Sequence, residues 1–180
     1  PNKPKYDDVQ KRRMNTYQGA FVYEPKPGLY KDIVVFDFRS LYPTILSSHN
    51  IGPDTINCAC CKETAKVITD GSEKYWFCAK KNGFIPVLIE DLITRRMRIK
   101  EIIKEEHDER FAFLDARQNS LKLLANSFYG YLGFFGARWY SLECARSTTA
   151  WGRFYIHKVI DKAQKESFVV LYSDTDSVFL

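Results

Sequence analysis

Phe168-Val169-Val170-Leu171-Tyr172, then Ser173-Asp174-Thr175-Asp176, then Ser177-Val178-Phe179-Leu180, reads as strand, acidic turn, strand. Far upstream, Ile33-Val34-Val35-Phe36-Asp37-Phe38 is a second apolar, β-branched run that also ends on a carboxylate, the pattern of a buried strand delivering an acid to its end. Placed side by side, the two would gather Asp37, Asp174 and Asp176. Asp174 and Asp176 are two apart, so in extended chain they project to one face. Clustered like charges repel unless cations neutralise them, and hard divalent cations with oxygen ligands are suited to that. Mg²⁺ takes one or two carboxylates plus substrate phosphates, which points to phosphoryl transfer by two ions about 3.5 to 4 Å apart. A lone Asp-x-Asp more often serves only its turn, so the weight rests on the convergence.

Between these strands the periodicity is helical. Ile85, Leu88, Ile89, Leu92, Ile93, Ile99, Ile102 and Ile103 predict a helix of about six turns ending near His107 to Arg110, with a second helix from about Phe111 to Phe128. So short a link makes the two antiparallel. On the second helix Gln118, Lys122, Asn126 and Tyr129 share one side, with Leu121, Leu124, Ala125 and Phe128 on the packing side next to it. Arg96, Lys100 and Lys104 flank the apolar stripe of the first helix, where cations from two helices could clamp a triphosphate. For any single one of them a solvated face is the commoner role.

A third helix is expected over Leu142 to Lys165, with Trp151, Phe154, Ile156, Val159 and Ile160 as core candidates. Pro1 to Lys31, broken by prolines and glycines, reads as loops and short strands. Ile51 to Gly83 reads as a loop-rich connector with a hairpin, and it carries four of the five cysteines. Cys58-Ala59-Cys60-Cys61 with Cys78 supplies four thiolates, enough for a structural zinc, although a clean Cys-x-x-Cys is lacking at both ends.

At 180 residues and 45% hydrophobic, the chain can bury a core of one domain, with or without a large insertion. It has neither a long apolar run nor the n-region and h-region of a secretory signal, so no membrane partner is expected. The net charge of +5 agrees with a polyanionic partner without requiring one.

The motifs carry more. Asp37-Phe38-Arg39-Ser40-Leu41-Tyr42-Pro43 resembles the first polymerase motif of family B DNA polymerases, D-x-x-S-L-Y-P. Lys122-Leu123-Leu124-Ala125-Asn126-Ser127-Phe128-Tyr129-Gly130 resembles the second, K-x-x-x-N-S-x-Y-G. Tyr172-Ser173-Asp174-Thr175-Asp176-Ser177 resembles the third, Y-G-D-T-D-S, with Ser173 where many members have Gly. Tyr17-Gln18-Gly19-Ala20 is similar to the upstream Tyr-x-Gly-Gly/Ala segment. All four stand in the family's order, and Ala125 to Arg153 together with Phe84-Ile85-Pro86 looks most like archaeal members.

The resemblance implies an α+β fold: a palm whose antiparallel β-sheet carries the carboxylates, plus an antiparallel two-helix fingers subdomain. Residues 1–31 would link to the palm, 32–84 form its first part with the cysteine connector, 85–130 the fingers, and 131–180 a second palm part incomplete at its C-terminal end. Asp37, Asp174 and Asp176 would be catalytic, with Asp37, Asp176 and the carbonyl of Phe38 holding two Mg²⁺ ions and Asp174 engaged variably. Tyr42, Arg96, Lys100, Lys122 and Asn126 would bind the incoming dNTP, and Tyr17, Gly19, Tyr129 and Gly130 the primer-template DNA. Tyr42 under the sugar would favour deoxynucleotides over the ribonucleotides of an RNA polymerase. Exonuclease and thumb domains, which flank this region in the family, are expected outside the chain, and an archaeal origin would place the protein in the cytoplasm.

Cys61 and Cys78 match positions that form a disulfide in some archaeal relatives, and this pairing is preferred over zinc, with free buried thiols as the alternative in a mesophile. Ser141 stands where a second pair would begin, which leaves Cys144 alone. From another class, the chain could be a non-catalytic, cysteine-stapled nucleic-acid-binding module, but that reading leaves the three acids unexplained.

Overall fold

The computed structural model describes residues 2–105 and 110–180. Twelve elements form an α+β arrangement: α1 (Tyr6–Arg13), β1 (Val22–Tyr23), β2 (Val35–Asp37), α2 (Leu41–Ser48), a 3₁₀ turn (Ala59–Cys61), β3 (Val67–Asp70), β4 (Glu73–Trp76), α3 (Phe84–Glu105), α4 (Arg110–Gly133), α5 (Leu142–Lys165), β5 (Tyr172–Asp174) and β6 (Ser177–Phe179).

The acid-bearing strands do lie side by side. The main sheet has the order β1-β5-β6-β2, antiparallel throughout. Asp37 is opposite Ser177, and Ser177 is opposite Asp174, so the register brings both motif ends to one end of the sheet. Val34 and Leu180 exchange both backbone hydrogen bonds at 2.9 Å, extending the β2–β6 pairing beyond the strands.

The expectation of a buried strand at Ile33–Phe38 needs correction. All three residues of β2 are exposed, with Phe36 at 56%. β2 is an edge strand, and α5 covers the sheet through Val178 on β6 and Val170 instead, which pack with Ile156, Ile160 and Ala163.

The second core joins the helices. Ile45 and Leu46 of α2, Ile89 of α3, Leu132 of α4 and Trp151 of α5 meet there, and each fully buried Ile or Leu contributes about 1.5–3 kcal/mol relative to exposure. Ile85 and Ile89 at the start of α3 share this core with Leu132 at the end of α4, as antiparallel packing requires. The expected end of the first helix near His107 lies outside the described residues; the second runs five residues beyond the expected Phe128. α5 has the expected bounds, with the Ser141 hydroxyl accepting from the Cys144 N–H at 3.3 Å as an N-cap. Of its expected core residues, Phe154 is 47% exposed and packs its edge against Trp151 and Tyr155 at the rim.

α1 interrupts a segment expected to be loops and short strands. It buries nothing and is pinned by Arg12, whose guanidinium donates to the Ala137 carbonyl at 3.1 Å and lies over the Tyr140 ring. The connector contains the expected hairpin, β3–β4. Its cysteines differ from the preferred pairing: Cys61 and Cys78 are free thiols with sulfurs 3.9 Å apart, against about 2.05 Å in a disulfide. No described helix is long and apolar enough to cross a membrane.

Candidate active site

Asp37 ends β2, and the backbone N–H of the next residue, Phe38, donates to the Asp176 carbonyl at 2.8 Å. That bond ties the two acid-bearing segments directly to each other. Asp176 occupies the two-residue link between β5 and β6, after Thr175 at φ 54. A β-branched residue in the left-handed region is strained, and such strain persists only where the surroundings enforce it. Here the Thr175 N–H donates to the Phe21 carbonyl and its hydroxyl to the Asp174 carboxylate, at 3.1 and 2.8 Å.

The link alters one expectation. Asp174 and Asp176 do not project from one extended strand, because Asp174 closes β5 while Asp176 sits in the turn. Asp37 and Asp176 line the same cleft of about 520 Å³, and Asp174 is not among its walls. Asp174 instead accepts hydrogen bonds from Tyr172 and Thr175.

Across the cleft stand the helices. Arg96 and Lys100 from α3 and Lys122 and Asn126 from α4 line it, so four of the residues expected to bind nucleotide share one cleft with the two acids. Arg96 is held from two sides: Nε donates to the Gln118 side-chain oxygen and Nη1 to the Ser40 hydroxyl, both at 3.1 Å. Gln118 is therefore buried, while Leu124, expected to pack, is 49% exposed. Ser40 adopts φ 50 immediately before α2, which carries Tyr42 to the cleft wall.

Tyr42 packs on Tyr129 with ring centroids 4.5 Å apart, and the Tyr129 hydroxyl meets that of Tyr17 at 3.0 Å. Burial raises the Tyr42 and Tyr129 phenols above their usual range, so both stay protonated. Gly19 and Gly130 lie outside the cleft, each in open space.

Several supporting residues carried no signal in the sequence. Arg153 of α5 donates to the Gln18 and Gly19 carbonyls at 2.9 and 2.6 Å and pairs with Asp70 at 2.6 Å. Thr149 also donates to the Gln18 carbonyl. Gly152 faces the Tyr42 ring so closely that a Cβ would lie 3.1 Å from Cε1. Only the three-dimensional arrangement joins positions 83 and 134 residues apart.

The donor set fits a divalent cation. Burial first, and the neighbouring Asp37 carboxylate second, hold the Asp176 carboxyl above the usual carboxylate range, with Lys122 opposing weakly. Two mutually repelling carboxylates are hard oxygen ligands whose repulsion a divalent cation would relieve.

Comparison with known proteins gives the family. The sequence pattern of DNA polymerase family B matches residues 3–180. The chain belongs to DNA polymerase family B. Its family B relatives include DNA polymerase 1 of Pyrococcus abyssi, 46% identical, and a DNA polymerase of Thermococcus sp. (strain 9oN-7), 48% identical, each over 99% of this chain. The solved family B DNA polymerase of the hyperthermophilic archaeon Pyrobaculum calidifontis superposes with a TM-score of 0.74 at 37% identity, again over 99% of the chain. The chain spans 23% of the length of each of these family B proteins.

Proposed function

We propose that this chain is the nucleotidyl-transfer core of a template-directed DNA polymerase, with residues 85–130 as fingers and residues 32–84 and 131–180 as palm. The observation that carries the reading is the single cleft in which Asp37 and Asp176 face Arg96, Lys100, Lys122 and Asn126. Two Mg²⁺ ions held by Asp37, Asp176 and the Phe38 carbonyl would supply Lewis acidity to the attacking hydroxyl and the leaving phosphates.

The chain's own groups do the rest. Arg96, held by Ser40 and Gln118, and the ammonium groups of Lys100 and Lys122 carry the charge that grows on pyrophosphate as it departs. The primer 3′-oxygen bonds to the α-phosphorus, the bond from that phosphorus to the bridging oxygen breaks, and the hydroxyl proton leaves to water. Tyr42, braced by Tyr129, closes the space beside the sugar and disfavours a 2′-hydroxyl. Tyr17, Gly19, Tyr129 and Gly130 contact primer-template DNA by shape and backbone, since base pairing carries the sequence information.

The test places this chain in the corresponding segment of an archaeal family B polymerase and follows Mg²⁺-dependent primer extension. Asp37→Ala and Asp176→Ala should abolish extension and leave primer binding nearly unchanged. Lys122→Ala should lower kcat/KM for dNTP by roughly ten- to a hundredfold, the worth of one hydrogen bond to a charged group. Near wild-type extension by either aspartate variant would sink the reading.

A further inference from the structure

Four cysteines converge in the connector, away from the acidic cleft. Cys58, Cys60 and Cys61 come from the 3₁₀ turn and the residue before it, and Cys78 from just after β4. Their four sulfurs all lie within 4.8 Å of one another. Three of the separations are Cys60–Cys61 3.6 Å, Cys60–Cys78 3.6 Å and Cys61–Cys78 3.9 Å.

Those lengths decide between the chemistries. A disulfide would bring one pair to about 2.05 Å and has no use for the other two sulfurs. Four thiolates at about 2.3 Å from one tetrahedral zinc stand about 3.8 Å from each other, by the geometry of the tetrahedron. The observed separations bracket that edge.

A backbone donor also faces the cluster. The Ala79 N–H points at the Cys61 sulfur at 3.4 Å. Such a donor orients a ligand sulfur and disperses the negative charge it brings to a metal. Among the described residues this is the one group of His, Cys, Asp and Glu that meets the spacing of a closed metal site. Four sulfurs without an open position make it structural, not catalytic.

We propose that Cys58, Cys60, Cys61 and Cys78 bind one structural Zn²⁺, which clips the connector shut at the base of the β3–β4 hairpin. On binding, each ligand thiol gives up its proton to solvent and no redox step occurs. The clip has a reach beyond itself. It closes the loop from Cys61 to Cys78, and within that loop Asp70 ends β3 and holds Arg153, which in turn grips the carbonyls of Gln18 and Gly19. Zinc thus steadies the Tyr17–Ala20 segment through one ion pair.

The experiment is metal analysis of the 180-residue chain purified without chelator, with zinc X-ray absorption on the unmutated protein. Stoichiometric zinc with four sulfur neighbours at about 2.3 Å is expected. Cys60→Ser and Cys78→Ser should lose the metal, Cys144→Ser should keep it, and chelation should lower the Tm of the unmutated chain. Reading the metal shell on unmutated protein keeps the test informative if the serine variants fail to fold. Iron in place of zinc, nitrogen or oxygen in the shell, a Cys61–Cys78 disulfide by mass spectrometry, or metal-free thiols would each overturn the proposal. None of these outcomes depends on polymerase activity.

Discussion

The Tyr17 hydroxyl lies 3.0 Å from the Tyr129 hydroxyl, joining the N-terminal segment to α4 behind the cleft. Because Tyr129 also packs on Tyr42, three tyrosines from distant positions form one continuous wall. Tyr17→Phe and Tyr129→Phe should each cost about 1 kcal/mol, and the double variant little more than either alone, because both remove the same bond. Denaturant unfolding of the four proteins gives the coupling; additive losses would mean that the hydroxyls do not act together.

The acidic pair carries a pH prediction. The native Asp176 carboxyl is raised, so the folded state without metal holds its proton more tightly than the unfolded chain does. The destabilisation is absent below the unfolded value of about 3.9, grows as pH rises from there through the native value, and is complete above it. Asp37→Asn and Asp176→Asn should therefore raise Tm near neutral pH in chelator and leave it unchanged in strong acid. Melting curves at both pH values, with and without Mg²⁺, check this, and Mg²⁺ should narrow the gap by stabilising the unmutated chain alone.

Gly152 gives Tyr42 its room. A methyl group there would stand 3.1 Å from the ring, so Gly152→Ala should displace the tyrosine by a few tenths of an ångström without unfolding the protein. Competition between ribonucleotides and deoxyribonucleotides in the grafted polymerase should show altered discrimination, in the same assay where Tyr42→Ala relaxes it. Unchanged selectivity in both variants would separate Tyr42 from sugar choice.

Asp70 and Arg153 form the best-shielded ion pair described, with side chains 9% and 12% exposed. Removing one partner strands the other charge, and Asp70→Ala should cost about 3–5 kcal/mol. The loss should also appear as faster amide exchange at residues 18–20, whose neighbouring carbonyls Arg153 holds.

Ser173 is fully buried and, among the described residues, its hydroxyl has no partner. An unsatisfied buried hydroxyl costs about 1–3 kcal/mol, so Ser173→Ala should stabilise the chain by up to that amount. A loss of stability on chemical denaturation would instead reveal a partner for the oxygen.

Much of this arrangement was legible in residue order, for physical reasons. α3 and α5 bury periodic apolar faces, and periodicity survives in sequence; α1 buries nothing, so nothing marked it. Most of the cleft residues sit in short motifs, whereas Arg96 and Lys100 were legible only from their spacing along α3. The exposure of β2 was misjudged because an apolar run reports composition, not which strand a helix covers. Arg153 and Asp70 were invisible because their meeting depends on how the hairpin docks against α5, which no local spacing encodes.

The two-residue link between β5 and β6 also restricts how this chain can change in length. Inserting one residue at Thr175 would advance β6 by one position, turning Val178 out of the core and moving Ser177 off Asp37. The Gly71–Ser72 tip of the β3–β4 hairpin is solvent-exposed, with open space around Gly71. Insertions and deletions should therefore accumulate at that tip across evolution, while the acidic link keeps a constant count of residues.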